Sequence, residues 1–598
     1  DTYTGNLSVA NLHHAERNFA QQEIRDLSIY LYGHGDGGGG PDRDVLERAQ
    51  RLRDLHGVGR VELTTATDAL ARIRAEGEDD ELPVWVGEIY LEFHRGTYTT
   101  HGAVKKGNRQ LEVALREAEI WALAARDLAG LEVPAAGLER AWKKLLLHQF
   151  HDILPGTSIH WVYRETAEDH GAVRTTTDGI RHASLDAIAS RVEIGDAKRP
   201  VLVTNGLSFA RDEVIEFDGE LHRVTTPPLG WAVHDLARPA AEDSPPVACG
   251  ERWMDNGLLR VEWDEAGLLR SLRHLATGRE AIAPGRAANL LQLMEDHPAP
   301  WDAWDIERRA FDTAVDLTDV DVLEWIERSE MRATLRVVRS FGSSRIEQEI
   351  RLTRGCGRLE VHCCVDWQEN HKLLKVAFPL DVRATTARHE IQFGHVERPT
   401  HENTSWDAAR YETCAHSWVD LSEDGFGVAL LNDCKYGHDV RGNVIRLSLL
   451  RAPTWPDPLA DRGQHRFAYA LYPHAGPPTS GGVIAEAHAF NAPLRARPIQ
   501  PSDDAARTLP ARHSLLEADD PGIVVAALKP ADDGDGRIVR LHESFGSRRS
   551  VRLRSPGTAQ AERVDLLEQA TDAEPLPVVD GTIELDLRPF ELVTLRLR

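Results

Sequence analysis

Lys198-Arg199-Pro200-Val201-Leu202-Val203-Thr204 is the point at which the chain changes texture. Upstream of it, from Trp85 to about Ile194, apolar residues recur at helical spacing. Leu111, Leu115, Ala118 and Ala122 share one face, and Trp142, Leu145, Leu146, Gln149 and Phe150 share another, which predicts a helical bundle. Gly130 and Pro134 punctuate the first long helix, and Pro155-Gly156 ends the second just beyond His151 and Asp152. Downstream, Val201–Thr204, Leu258–Trp263, Leu359–His362 and Leu592–Leu595 alternate in the manner of strands and are separated by turn-rich punctuation. Roughly two thirds of the chain therefore reads as stacked antiparallel sheet. No internal period points to a solenoid or propeller.

Ahead of the bundle, Leu27-Ser28-Ile29-Tyr30-Leu31-Tyr32 reads as a buried strand. A glycine loop follows, and Pro41 then opens a helix carrying Val45, Leu46, Ala49 and Leu52. Strand, loop and helix in this order belong to an α/β sheet or barrel, whose ligands gather at the carboxyl ends of the strands. The fold class expected is multidomain α+β, mainly β by length. Residues 1–80 form an α/β catalytic remnant, 81–197 a helical bundle, 198–497 a large β-sandwich domain and 498–598 a C-terminal β domain, with Pro498 to Pro510 as the best linker.

The 598 residues suit about four domains at roughly 150 residues each. Hydrophobic residues at 41% and charged residues at 28% describe an ordinary globular chain and exclude a disordered or collagen-like one. With 95 acidic and 70 basic residues the formal charge is −25, a field that repels phosphate backbones and anionic membrane surfaces, so neither nucleic acid nor a membrane is expected as partner. No apolar run reaches the roughly 18 to 20 residues of a membrane span, and the first residues lack a signal-peptide pattern. The six cysteines lack the spacing of a disulfide scaffold or zinc ribbon, which suits a reducing, cytoplasmic compartment. The sequence leaves room for a homo-oligomer.

Four constellations could carry chemistry. In Gly33-His34-Gly35-Asp36-Gly37-Gly38-Gly39-Gly40-Pro41, glycine density lets the backbone approach a ligand while one carboxylate, Asp36, projects from a bare loop. A phosphate cradle is disfavoured by that central carboxylate and by the missing Gly-Lys-Ser/Thr ending, whereas a flexible turn capped by aspartate fits equally. In His148-Gln149-Phe150-His151-Asp152, imidazoles at i and i+3 and a carboxylate at i+4 can converge on a metal or sugar. The other reading is a satisfied helix terminus. Gly87 to Thr100 places aromatic rings beside carboxylates, Arg95 and hydroxyls, the vocabulary of carbohydrate binding, or else forms an irregular connection with a satisfied polar network. The β-rich half contributes Phe393–Thr400, Asn403–Trp406, Leu431–Gly437, Asp457-Pro458 and Asp461-Arg462-Gly463, which are either loops that reach an active site or ordered turns.

Taken in order, these motifs resemble the α-mannosidases of glycoside hydrolase family 38, most closely the cytosolic type and its bacterial relatives, over nearly the whole chain. The resemblance is carried by Gly35-Asp36-Gly37, by Glu92-Phe93-His94-Arg95-Gly96-Thr97-Tyr98-Thr99-Thr100, by Lys105-Lys106-Gly107-Asn108-Arg109, by Gln149-Phe150-His151-Asp152, and by Asn432-Asp433-Cys434-Lys435-Tyr436-Gly437. It implies an N-terminal α/β barrel, a three-helix bundle and large β domains. It also implies a divalent metal in the sugar pocket, usually zinc, with cobalt as an alternative. In the family that metal is held by an early His-x-Asp motif, by the aspartate nucleophile and by the histidine of the Phe-His-Asp segment. The last corresponds to His151, and Asp152 to a residue that binds sugar hydroxyls.

The implied activity is retaining hydrolysis of terminal α-linked mannose from oligosaccharides. Asp36 is the expected acid/base, its glycine loop desolvating the carboxyl and keeping a proton available near neutral pH. His94, Arg95, Tyr98 and Asp152 are the expected substrate contacts, and all of these residues are expected to converge with His151 on one pocket. Two departures stand out: the family's early His-x-Asp motif and its Pro-Asp-x-Phe-Gly nucleophile segment are both absent. Asp1-Thr2-Tyr3 matches a later family segment better and is not assigned as nucleophile, and His148, where relatives often carry asparagine, gains no role. The expectation is thus an incomplete, inactive chain with a truncated barrel. The competing class is a non-catalytic carbohydrate-binding protein.

Overall fold

The structure, a computed structural model, describes residues 3–77, 84–238, 244–500 and 507–598. Asp1 lies outside the described residues. The chain divides into two compact units, Asp1–Tyr90 and Leu91–Arg598.

In the first unit, helices α1 (Val9–Asn18), α2 (Arg43–Arg51) and α3 (Ala66–Ala75) are capped by Ser8, Asp42 and Thr65, each side-chain oxygen accepting a backbone N–H of the first turn. Leu7, Val45, Ala49 and Leu52 form a small core on which Tyr30 and Tyr32 pack. Two expectations are corrected here. Asp42 rather than Pro41 opens α2, and Leu46 stays 41% exposed. Leu27–Tyr32 is not a buried strand: Ile29 and Leu31 are 43% and 53% exposed, and the segment's ladder is a single parallel bridge between Tyr32 and Gly5. An apolar run becomes a strand only when neighbours take up its N–H and C=O groups, and among the described residues of this unit that one bridge is all that represents the expected parallel sheet.

The second unit opens with three long helices, α4 (Gly102–Ala129), α5 (Ala135–His148) and α6 (His160–Ala189). Gly130, at φ +70°, ends α4 by donating to Arg126 O while Leu131 donates to Ala125 O, a left-handed turn that glycine adopts without strain. Leu111, Leu115, Ala118 and Ala122 are buried as expected. On the second face Leu145 is buried, but Leu146 and Phe150 are 56% and 55% exposed. The reason is that α5 stops at His148, and that Trp142, Leu146 and Gln149 line a cleft rather than a core.

From Pro200 onward the described strand pairs are all antiparallel. A nine-stranded and a six-stranded sheet enclose the largest core. Ser344–Thr353 and Leu359–Trp367 alternate buried and half-buried positions, as expected of strands with one face inward. Phe426–Asn432 is buried throughout because the helix Val483–Asn491 covers its other face. Two further four-stranded sheets near the C terminus share a core with α4 and α6, so Ile120, Trp121, Leu123 and Ile188 pack with Val539, Leu541 and Leu595. The expected linker is anchored at both described ends. Arg495–Pro498 pairs with Val201–Thr204, and Ile499 and Leu509 are buried in that same core, while residues 501–506 lie outside the described residues. All six cysteines are free thiols. Among the described residues no helix is long and apolar enough to cross a membrane.

Candidate active site

Within the second unit a site is assembled from segments that lie hundreds of residues apart. Residues 95–98 form one turn of 3₁₀ helix in which the Gly96 N–H donates to Trp304 O at 2.7 Å. A Cβ on Gly96 would stand 3.0 Å from Ala303 O and far closer to the Arg451 guanidinium, so only glycine fits. Arg451 is fully buried and acts as a hub. It donates to Asp296 Oδ2 at 2.8 Å, to Thr100 Oγ1 at 3.0 Å, and to the carbonyls of Asp302, Ala303 and Asp305 at 2.9 Å.

The start of α4 is fixed in a similar way. His101 and Gly102 donate their N–H groups to the two oxygens of Asp461, at 2.6 and 2.7 Å, and a carboxylate there favours the positive end of a helix. The His101 ring stacks on Tyr163 at 3.5 Å, and its Nε2 lies 3.2 Å from Asp457, which also pairs with His160 Nδ1 at 3.2 Å. Burial pushes the Asp457 carboxyl up, but His101, the Leu459 N–H and His160 together outweigh burial and hold it below its ordinary value. Lys105 reaches the Leu154 carbonyl at 2.8 Å, and burial lowers its ammonium to about 7. Gly156, at φ +93°, lies so close to Thr100 O that a Cβ would meet it at 2.6 Å, which brings the 151–160 turn against the 94–101 segment.

Asp152 sits in that turn. Its Oδ1 accepts from Thr157 Oγ1 at 2.7 Å, and its carbonyl accepts from Tyr163 OH at 3.1 Å. Its Oδ2 lies 3.7 Å from Nε2 of His151, whose side chain is 80% exposed. A cluster of Trp301, Trp304 and Trp455, with ring centroids 5.4 to 6.4 Å apart, stands on the same framework. The cluster is pinned where Asp302 Oδ2 accepts from Thr454 N and Trp455 N at 2.7 and 3.1 Å. The arrangement offers an oriented carboxylate, an accessible imidazole and indole faces, which can hold hydroxyls, a cation and the C–H face of a sugar.

The structure thus brings His94, Arg95, Tyr98, His151 and Asp152 onto one hydrogen-bonded framework. His94 and Tyr98 are half-buried at its edge. Arg95 is otherwise placed than expected of a sugar contact. Its guanidinium is buried on Asp305 at 3.3 Å, on Ala409 O at 2.9 Å and over the Tyr411 ring at 4.2 Å, so it holds the segment in position. His148 does not share a face with His151. The helix ends at His148, whose imidazole pairs with Asp169 at 2.9 Å and Thr166 at 3.2 Å of α6.

Asp36 belongs to the first unit. It lies on a short 3₁₀ turn at Gly35–Gly37 and accepts from Tyr3 OH at 3.1 Å. It is exposed, which corrects the expected desolvation: glycines remove bulk but supply nothing to cover the carboxylate. Among the described residues no group of three or more His, Cys, Asp or Glu could hold a metal ion. His151 fits zinc by donor class, as one imidazole nitrogen, and supplies one member of a set that takes about four ligands.

Arg451, His101 and the tryptophans escaped sequence reasoning, whereas Asp461 lies in one of the turn-rich segments singled out as loops that could reach an active site. The repeated aromatic-acid pattern in Trp301-Asp302-Ala303-Trp304-Asp305 and Trp455-Pro456-Asp457 was the available signal. Two motif blocks meet directly, since Arg109 Nε donates to Tyr436 OH at 3.2 Å, while Asn432 Oδ1 caps the N–H groups of Cys434 and Lys435 in an ordered turn.

The chain belongs to glycoside hydrolase family 38: residues 1–88 match the family's N-terminal domain, 92–188 the alpha mannosidase middle domain, 254–459 the C-terminal domain and 522–595 the C-terminal beta sandwich domain. Alpha-mannosidase 2C1 of Homo sapiens is 38% identical over 617 residues, covering 100% of this chain and 58% of that protein. Alpha-mannosidase G of Dictyostelium discoideum is 31% identical, covering 100% of this chain and 60% of its own length. The chain therefore spans less than two thirds of these relatives. The crystal structure of an alpha-mannosidase from Enterococcus faecalis V583 superposes with a TM-score of 0.78 at 15% identity, over 94% of this chain and 75% of that one, a likeness of fold.

Proposed function

We propose that this chain is part of a metal-dependent, retaining α-mannosidase that removes terminal α-linked mannose from oligosaccharides in the cytoplasm. The observation that carries the reading is the fixed carboxylate of Asp152 beside the exposed imidazole of His151, on a framework that also bears the tryptophan cluster. Asp152 accepts hydrogen bonds from mannose hydroxyls, with His94 and Tyr98 as further contacts and Arg95 holding them in place. Asp36 protonates the leaving glycosidic oxygen and later takes a proton from water, the two tasks of the acid/base carboxyl in a retaining enzyme. His151 contributes a nitrogen to a divalent metal, zinc or cobalt, which when bound polarises sugar hydroxyls. Residues 1–598 contain no Pro-Asp-x-Phe-Gly nucleophile segment, so taken alone they bind sugar without turnover, which is the behaviour of the second reading, a carbohydrate-binding protein.

The test is made in the full-length protein. His151→Ala lowers bound zinc, measured by plasma mass spectrometry, together with hydrolysis. Asp36→Asn keeps the zinc and loses turnover by about 10²- to 10⁴-fold on a mannose disaccharide, with a smaller loss on an aryl mannoside whose leaving group needs little protonation. Equal losses on both substrates remove Asp36 from the acid/base role. Full zinc content in His151→Ala removes that ligand.

A further inference from the structure

The strands Leu290–Glu295 and Lys372–Pro379 pair antiparallel, with Glu295 opposite Lys372 at the end of the ladder. His297 and His371 lie just past that end, and their side chains are 60% and 29% exposed. His371 adopts φ +51°, left-handed backbone that a residue with a side chain seldom takes. Its N–H donates to Ala452 O and its carbonyl accepts from Asp296 N, both at 2.8 Å, which holds it there. Arg309 Nη2 donates to the His297 carbonyl at 2.9 Å. The two imidazoles are thereby set with their Nδ1 atoms 3.3 Å apart.

The far nitrogens decide what can lie between the near ones. His371 Nε2 stands 2.8 Å from Thr454 Oγ1, and that hydroxyl donates its own proton to Asp302 Oδ2 at 3.4 Å, so it accepts from the Nε2–H. His297 Nε2 stands 3.4 Å from Oε2 of Glu295, a carboxylate paired with Lys372 that can only accept, so its proton is on Nε2 as well. Each Nδ1 then carries a lone pair, and the two lone pairs repel unless a cation lies between them. Two nitrogens bound at about 2.0–2.1 Å to one tetrahedral ion stand about 3.3–3.4 Å apart, which matches the separation here. A shared proton would draw them to about 2.9–3.0 Å, the usual reach of an N–H donor. An imidazole whose second nitrogen donates to a carboxylate, or to a hydroxyl leading to one, is also the arrangement that fixes ring and tautomer around bound metals.

We propose that His297 and His371 bind one divalent transition-metal ion, of the zinc, cobalt or nickel class, through their Nδ1 atoms, with water in the remaining positions. Imidazole nitrogens favour these ions over magnesium and calcium, which take oxygen donors. Two protein ligands are fewer than the three of a catalytic zinc, so the ion is exchangeable. When bound it ties the end of the sheet to the Thr454–Asp302 link that pins the tryptophan cluster. The assignment rests on these side chains and not on the mannosidase reading.

Crystals of the 598-residue chain soaked in nickel chloride or zinc chloride, with anomalous diffraction recorded at the metal edge, test it beside isothermal titration of the same chain with nickel, zinc and magnesium chloride. An anomalous peak is expected about 2.0–2.1 Å from both Nδ1 atoms, with heat of binding from nickel and zinc and no magnesium at the site. His297→Ala, at an exposed side chain, removes the peak and weakens nickel binding at least tenfold while keeping the metal-free melting temperature of the parent. His371→Asn, which tolerates left-handed backbone, does the same. His151→Ala keeps the peak, so a failure here and a failure of the proposed function are read separately. The proposal is overturned if no peak lies between the two rings, if metal gathers only at cysteines or at His151, if the peak forms at crystal concentration without binding in solution, or if His297→Ala binds nickel as the parent does.

Discussion

Arg451→Met is the sharpest probe of how the site is held. Methionine reproduces the apolar stem and stops near the Nε position, so the space where the guanidinium packed on Gly96 is left partly empty and adds to the cost. What is lost is the cation facing Asp296, a carboxylate with 0% exposure, together with the donors to the carbonyls of Asp302 and Asp305. Thr100 Oγ1 still donates to Ala303 O, so that carbonyl stays paired. An uncompensated buried charge costs about 3–5 kcal/mol, and a carbonyl stripped of its donor about 1–3 kcal/mol, terms that overlap because the loop relaxes. A net loss of about 4 kcal/mol follows.

At roughly 1 °C per kcal/mol for a cooperative unit of about 500 residues, scanning calorimetry at pH 7.5 should show the transition of the second unit lowered by about 4 °C. Adding Asp296→Asn removes the stranded charge and should recover about half of that. A single variant that melts within about 1 °C of the parent, or a double variant no better than the single, would refute the argument that this buried pair holds the 95–101 and 301–305 segments together.

Glu119, raised by burial from 4.5 to about 7, keeps in the folded state a proton that the unfolded chain releases, so stability falls as pH rises from 4.5 to 7. Glu119→Gln still accepts from Trp142 and should gain about 1–2 kcal/mol at pH 8, allowing for partial exposure, with no gain at pH 4.5; a gain independent of pH in urea unfolding counts against the burial cause. Asp457, held below its ordinary 3.8, contributes stability above that value that is lost as pH falls through the lowered one. Asp457→Asn should therefore be destabilised by about 1–2 kcal/mol at pH 7 and by less at pH 3, below the carboxyl's ordinary value. Equal destabilisation at both pH values would assign its contribution to packing instead.

The bundle and the β-rich two thirds were legible because their signals are local. Leu111, Leu115, Ala118 and Ala122 repeat at the helical period, Gly130 supplies the left-handed stop, and Leu359–Trp367 alternates along one strand. Leu27–Tyr32 misled for the same reason: an apolar run reports its own taste for burial but not whether strands lie beside it. His148 and His151 misled because spacing on a helical face has meaning only while the helix lasts, and α5 stops at His148, where Asp169 and Thr166 claim the imidazole.

The contacts that build the site are of another kind. Arg451 meets Thr100 across 351 positions and Asp461 meets His101 across 360, and no pattern within one sequence encodes a pair at that distance. This explains what the family motifs mark. Arg95 is spent on Asp305, Lys105 on the Leu154 carbonyl, Arg109 on Tyr436, and Asn432 on its own turn. Most of the residues that carry the resemblance therefore face each other rather than a ligand, and they fix the loops from which Asp152, His151 and the tryptophans project. A motif can be diagnostic of a sugar site without touching sugar, because a carboxylate that must meet hydroxyls at hydrogen-bond distance depends on the rigidity of what stands behind it.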